Sequence, residues 1–321
     1  MSVSTDPVPS SSVSPSPASQ VPPSSPPEQV IGIDLGGTAI KLGRFDRQGN
    51  CLQTLNLPTP QPAQPEPTLQ AIYEGILQLD PERQAIALGI GTPGPSDAKR
   101  RVARLAINLP GWVNVPVADW LEAKLDKPVV VENDANCAAI GEGWRGAGQQ
   151  FPNLILLTLG TGVGGGILIN GQLYRGYNGS SGELGLITLN PEGPACNSGN
   201  RGSLEQHLCI GAIVRATGQE PETLGQLARA GDPEAIAFWQ AYGKMLGIGL
   251  TSLVYVLAPD AIVIGGGISA SSEYFFPAAW AELQQRVKPT SRENLQLVKA
   301  TLGNAAGQVG AAKLAWQLVE L

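Results

Sequence analysis

The hydrophobic pattern starts abruptly at Val30. VIGIDL is an apolar run that ends on a glycine pair, which predicts a buried strand feeding a tight turn. AIKLGRFD and CLQTLNL follow as strands, parted by the turn residues Arg47, Gln48, Gly49 and Asn50. The proline-rich stretch from Pro58 to Pro67 reads as an exposed loop, and Leu69 to Leu79 has helical spacing. AIALGIG is another strand, stopped by T-P-G-P. Residues 117–125 read as a helix, VVVEN as a strand and Ala135 to Trp144 as a helix. LILLTLGTGVGGGILING is a second strand-turn-strand unit. A glycine-rich connection (171–204) and helices around 205–216, 222–230 and 233–257 come next. The strand AIVIGGG and a helix near 308–320 complete the pattern.

The two strand-turn-strand units resemble each other. In IGIDLGGTAIKLGRF and LILLTLGTGVGGGILING, Asp34 falls opposite Thr158 and Gly36 opposite Gly160. A weak internal repeat of this kind predicts two related halves, with glycine turns facing each other across a cleft. The alternation of strands and helices predicts an α/β fold.

Composition narrows the function. The chain has 321 residues, enough for two domains of ordinary size or one large one. Acidic residues outnumber basic ones 27 to 21, for a formal charge of -6, which argues against a nucleic-acid surface. No apolar run reaches the length of about 18 residues that a membrane helix needs. Residues up to about 28 are mostly Ser, Pro, Val and Ala and hold eight of the 27 prolines. Such a segment is expected to be disordered, and it lacks both the apolar core of a secretory signal and the arginines of a transit peptide. Cys51, Cys137, Cys196 and Cys209 show no C-x-x-C spacing, so reduced thiols in a cytoplasm are expected. A single histidine, His207, excludes a multi-histidine metal site and reads as a surface helix residue. The 40 glycines point to many tight turns or close ligand approaches.

Five stretches can carry chemistry. In DLGGTAIK, Gly36 and Gly37 expose backbone N–H groups to anionic oxygens, and Thr38 adds a hydroxyl. Asp34 can hold a water of Mg²⁺, though a plain hairpin turn explains the same residues. GTGVGGG (160–166) repeats the turn, and IVIGGG (262–267) can admit an adenine or ribose face. In VVVENDAN, Asp134 can take a proton from a substrate hydroxyl while Asn133 bonds a neighbouring one; either is equally explained as an N-cap. Glu183 and Glu205 are carboxylates suited to sugar hydroxyls, or two surface glutamates.

Taken in order, the motifs resemble the ROK family of sugar kinases and repressors, within the actin-like ATPase superfamily. They are DLGGT-x-I-K, G-I-G-x-P-G-P (Gly89 to Pro95), N-L-P-G-W (Asn108 to Trp112), E-N-D-A-N, T-L-G-T-G-V-G-G-G, E-x-G and G-x-L-E. The resemblance implies a two-domain α/β fold of the actin-like, ribonuclease H-like type with a central cleft. It divides the chain into a tail (1–28), an N-terminal domain (29–145) joined by the C-terminal helix (308–321), and a larger C-terminal domain (146–307). It implies an ATP- and Mg²⁺-dependent hexose kinase, nearest to bacterial glucokinases, cytoplasmic and homodimeric, with neither nucleic-acid nor membrane partner. Asp134 would be the base acting on the sugar 6-hydroxyl. Asn108, Asn133, Glu183 and Glu205 would bind the sugar. Asp34, Gly36, Gly37, Thr38, Lys41, Thr161 and Gly162 would serve ATP and Mg²⁺, and Gly265 and Gly266 the adenosine. Kinases for fructose, mannose or N-acetylmannosamine, a sugar-responsive repressor and a non-catalytic sugar sensor are the alternatives. The repressor needs a helix-turn-helix domain that the residues before Val30 do not resemble.

One departure stands out. The family carries E-x-G-H and C-x-C-G-x-x-G-C-x-E, whose histidine and three cysteines bind a structural zinc. Here Leu186 stands at the histidine position, Cys196 keeps the first thiol, and Ser198 and Ser203 replace the others. One thiolate cannot make a four-ligand site, so no zinc is expected.

Overall fold

The computed structural model describes residues 28–107 and 109–320, together with Met1. The Pro/Ser-rich tail and Asn108, both singled out above, lie outside the described residues. Along the chain come β1 (Gln29–Leu35), β2 (Ala39–Phe45), β3 (Cys51–Pro58), α1 (Pro65–Leu79) and β4 (Ala85–Thr92). A short ribbon, β5 (Ala103–Leu105) and β6 (Val113–Val115), precedes α2 (Val117–Leu125), β7 (Val129–Asn133) and α3 (Asp134–Arg145). Then follow β8 (Leu154–Leu159), β9 (Val163–Ile169), β10 (Gln172–Leu173), α4 (Leu204–Leu208), α5 (Ile210–Thr217), α6 (Pro221–Arg229) and α7 (Pro233–Leu257). The chain closes with β11 (Ala261–Gly265), α8 (Ser272–Arg286), β12 (Gln296–Lys299) and α9 (Ala306–Val319).

The strands form two five-stranded sheets of one topology. The first runs β3-β2-β1-β4-β7 and the second β10-β9-β8-β11-β12. In each, the first three strands of the half pair antiparallel, the fourth pairs parallel with the first, and the fifth pairs parallel with the fourth. The similarity between two hairpins in the sequence therefore extends to whole sheets.

Two helices fill the space between the sheets. α9 lies on β1 and β4, α3 crosses α9, and α3 also packs on β8 and β9. The contacts are so close that only glycine fits. A Cβ at Gly32 or Gly89 would enter the backbone of α9, and one at Gly310 would enter that of α3. Away from this layer, α1 and α2 cover Ile31, Ile33, Leu88 and Ile90 of the first sheet. On the second, α7 buries Trp239, Tyr242, Leu246, Leu250 and Val254 at helical spacing and packs on α8.

Three local readings need correction. The stretch Pro58 to Pro67 is not all exposed loop. Thr59 and Ala63 are buried, and α1 already starts at Pro65, where a missing N–H breaks no helical bond. The helix around 205–216 is two helices, broken at Cys209 in extended conformation. α8 and β12 carried no clear periodic signal: α8 holds Pro277, and β12 is a four-residue edge strand. His207 is on a helix, but its Nε2 is buried against Gly193 rather than at the surface. No helix among the described residues is long and apolar enough to cross a membrane.

Candidate active site

The site assembles at strand ends, where parallel strands release their chains toward a cleft. Across the first sheet, Asp34 pairs with Gly91 and Gly91 with Glu132, so β1, β4 and β7 end level. Asp34 therefore lies two strands, roughly 10 Å, from the Glu132 position. Its Oδ2 accepts from Lys41 Nζ at 3.0 Å, and the first turn of α9 abuts it at Gly307.

The turn after β1 is pinned by its carbonyls. Thr59 N–H donates to Thr38 O, Thr59 Oγ1 to Gly36 O at 2.7 Å, and Gln61 Nε2 to Gly37 O at 2.9 Å. The N–H groups of Gly37 and Thr38 have no hydrogen-bond partner among the described residues. The turn after β8 repeats this design. Gly160 N–H donates to Gly162 O and Gly160 O accepts from Ile210 N–H, while Thr161 is exposed. Gly265 ends β11 beside Thr158. Gly266 has φ of 80°, and a Cβ there would strike the Leu159 backbone, so this third turn fits only as glycine beside the second.

β7 delivers the polar cluster. Asn133 caps α3, its Oδ1 accepting from Asn136 N–H at 3.0 Å. Its Nδ2 donates to Gly94 O at 3.2 Å and to Asp134 Oδ1 at 2.9 Å. The N-cap reading therefore holds for Asn133, and with both Nδ2 hydrogens spent on Gly94 and Asp134 only an Oδ1 lone pair is left to accept from a further group. Asp134 is the first helical residue. Loss of water around its carboxyl and the Asp34 and Glu183 charges push it up to about 7, against the stabilising Ala135 N–H. A carboxylate poised there can remove a proton from a hydroxyl at neutral pH.

Glu183 and Glu205 are brought together. Dehydration by surrounding protein and the Glu205 charge raise Glu183 above the usual glutamate range. Glu205 Oε2 accepts from Val163 N–H at 3.0 Å, and a Cβ at Gly162 would sit 2.5 Å from it. Glu205 therefore also braces the second glycine turn, a contact with no signal in the sequence. Of the site residues expected from sequence, Asp34, Lys41, Gly36, Gly37 and Thr38 cluster on β1–β2, Thr161, Gly162, Gly265 and Gly266 on β8–β11, and Asn133 and Asp134 between the sheets. Asn108 lies outside the described residues; the residue after it, Leu109, faces Gly37.

Sequence reasoning assigned no role to Glu132, Ser96, Arg100 or Arg175. Glu132 is fully buried and meets Arg175 Nε at 2.6 Å and Arg100 Nε at 3.5 Å. Nothing local could have paired residues 43 apart in the chain.

The loop that follows Glu183 has the wrong donors for zinc. Ser203 Oγ caps α4, accepting from Gln206 N–H, and Ser198 Oγ accepts from Asn200 N–H at 3.4 Å. Asn200 Nδ2 donates to Leu186 O at 2.8 Å and to Thr188 Oγ1 at 3.0 Å. Among the described residues no group of three His, Cys, Asp or Glu could hold a metal. The donors at the four positions are one thiol, two hydroxyls and an alkyl chain, which do not fit zinc.

The ROK family model matches residues 30–318. A glucokinase of Thermotoga maritima is 33% identical over 309 residues, covering 90% of this chain and 98% of that one. A glucokinase of Streptomyces coelicolor is 36% identical, covering 89% and 96%. The crystal structure of a Streptomyces griseus ROK family glucokinase in complex with glucose and AMPPNP superposes with a TM-score of 0.78. It is 35% identical, and the match covers 90% of this chain and 99% of that one.

Proposed function

The chain belongs to the ROK family and has its actin-like ATPase fold, and from that premise we propose that it is a glucokinase, transferring the terminal phosphoryl group of ATP to the 6-hydroxyl of glucose. The observation that carries this reading is the Asp134 carboxyl on the first residue of α3, held at 2.9 Å by Asn133 where β7 ends level with Asp34 of β1. In this reading Asp134 takes the hydroxyl proton as the new O–P bond forms. Asn133, Glu183, Glu205 and Asn108 hold the other sugar hydroxyls. N–H groups of the turns at Gly36–Thr38 and Thr161–Gly162 would hold the phosphates, Gly37 and Thr38 in the first because Gly36 N–H is spent on Ala39 O, and Gly265 and Gly266 would border the adenosine. Asp34 would hold Mg²⁺ through water; its hard oxygen donor, and the repulsion between Asp34 and Asp134, fit a divalent cation. When bound, the ion would neutralise charge on the phosphates. Lys41 keeps Asp34 oriented.

Residues 29–145 with the C-terminal helix, and 146–307, act here as two lobes whose closure excludes water. A cytoplasmic homodimer without nucleic-acid partners belongs to the same proposal. The test is ADP release across glucose, mannose, fructose and N-acetylmannosamine with ATP, GTP or polyphosphate. Glucose with ATP should give the highest kcat/KM; a clear preference for another hexose would reassign the substrate and make Leu186 the first suspect. Loss of the family histidine removes a hydrogen bond of about 0.5–1.5 kcal/mol, roughly a two- to tenfold change in sugar affinity.

The same reading holds that the 188–203 loop works without zinc, supported by the donor set and the Asn200 bonds. A zinc-selective chelator with Mg²⁺ in excess should leave both activity and melting temperature unchanged. One tightly held equivalent of zinc per chain would overturn this.

A further inference from the structure

The buried ion cluster beside Asn133 joins parts of the site that come from different sheets. Arg175 follows β10 of the second sheet, yet its guanidinium is spent on the first. Nε donates to Glu132, Nη1 to Ala98 O at 3.1 Å, and Nη2 to Ser96 Oγ at 2.7 Å and Asp97 O at 2.9 Å. A planar fork making four bonds has one orientation. Glu132, on β7, uses its other oxygen on Asn133 N–H at 2.9 Å, Asn136 Nδ2 at 3.1 Å and Ser96 Oγ at 3.3 Å. Asn133 and Asn136 belong to the cap and first turn of α3, where Asp134 sits, and Ser96 to the loop after β4.

On its other side Arg175 organises the approach to Glu183. Its carbonyl accepts from Ser181 N–H at 3.2 Å. A Cβ at Gly179 would lie 2.6 Å from Ser96 O and 3.1 Å from Arg175 Nη2, so the loop passes directly over the guanidinium. Four residues later the chain reaches Glu183.

We propose that Arg175 is a positioning residue of the sugar site: through buried Glu132 it ties the loop that carries Glu183 to the strand end that carries Asn133 and Asp134. The inference rests on the reading of this cleft as a hexose site. Charge alone would not do this. A lysine at 175 keeps the ion pair but cannot reproduce the fork that fixes residues 96–98 and 179–181.

The experiment compares R175K, R175M and the uncharged pair E132Q/R175M with the native protein. It reads melting temperature, kcat, both KM values, and glucose binding without ATP by calorimetry. R175K should melt close to the native protein. Its kcat/KM for glucose should fall about 10- to 100-fold, the scale of a misplacement of about 1 Å, with KM for ATP changed less than about twofold. E132Q/R175M leaves no buried carboxylate without its fork and only the part-exposed Arg100 without its partner, so it should regain part of the stability lost by R175M and stay impaired toward glucose. Native kcat/KM for glucose in either R175K or the pair would overturn the proposal. Equal rises in both KM values would also overturn it, because they would mark general loosening. If the native protein neither binds nor phosphorylates a hexose, the hexose reading itself fails and this inference falls with it; failure in the variants alone leaves that reading standing.

Discussion

Asp134→Asn should lower kcat by about 10³-fold, within the range of about 10²- to 10⁴-fold expected of a general base. The substitution is nearly isosteric. An asparagine Oδ1 can still accept from Ala135 N–H and from Asn133 Nδ2, so α3 keeps its start. What disappears is the carboxylate proposed to accept the proton. The native protein should show the counterpart in its pH profile. Asp134 sits near 7, so its basic form dominates above that value, and kcat/KM should fall as pH drops through it. The acid limb should be missing from the residual activity of Asp134→Asn. Stability moves the other way. A carboxyl raised in the folded state favours folding while protonated and loses that contribution as pH rises from about 4, its unfolded value, toward 7. Removing the charge should raise the melting temperature at pH 8. Near-native turnover of every hexose by Asp134→Asn would remove Asp134 from the role of base.

Gly89→Val should destabilise the protein by about 3 kcal/mol or more, the upper range for overpacking. Gly89 lies in β4 directly under α9, and a Cβ there would occupy the Ala311 carbonyl oxygen. Gly32 meets Gln308 O and Ala312 in the same way one strand over. Backbone on both sides leaves nothing flexible to yield, so helix and strand must separate. That opens the layer in which α3 and α9 meet between the sheets. About 3 kcal/mol is a large part of the roughly 5–15 kcal/mol that holds a protein folded. The melting temperature should fall by roughly 10 °C. Gly211→Ala is the control: it lies inside α5, its Cβ would meet only Cys209 Sγ at 3.7 Å, and it should be neutral or stabilise by about 0.4–1 kcal/mol. A Gly89→Val protein melting with the native one would mean α9 does not rest on the strand backbone.

These two results probe different layers of one design. Asp134 is chemistry on the first residue of α3, and Gly89 is the seat of the helix that α3 crosses. The halves are matched sheets, and the groups that meet in the cleft come from both. Glu205 shows the economy of this: one carboxylate stands beside Glu183 and holds the second glycine turn through Val163 N–H.

Much of this was legible in the chain. Apolar runs ending at glycine located β1, β8 and β11, because a strand buried on both faces must be apolar and a turn with free N–H groups must lack side chains. The dipeptide Asn133–Asp134 after VVVE marked a strand-to-helix junction, because N-cap chemistry is local. The replacement of two thiols by Ser198 and Ser203 was plain, since ligand chemistry is written in residue identity. Helix α8 and the edge strand β12 were not legible: Pro277 breaks the expected pattern, and four residues are too few to establish a period.

The sequence by itself determined most of the elements, the glycine turns, the candidate base and the loss of the zinc donors, because each follows from neighbours within a turn or two. Only the tertiary structure decided which glycines seat α9, for a glycine in a strand looks the same as any other until a helix backbone lies against it. It also decided that Glu132 is buried with Arg175 and that Asp34 is held by Lys41. A buried carboxylate must find a cation, but what brings that cation from 43 residues away is the packing of two sheets about α3 and α9, and no local pattern encodes it.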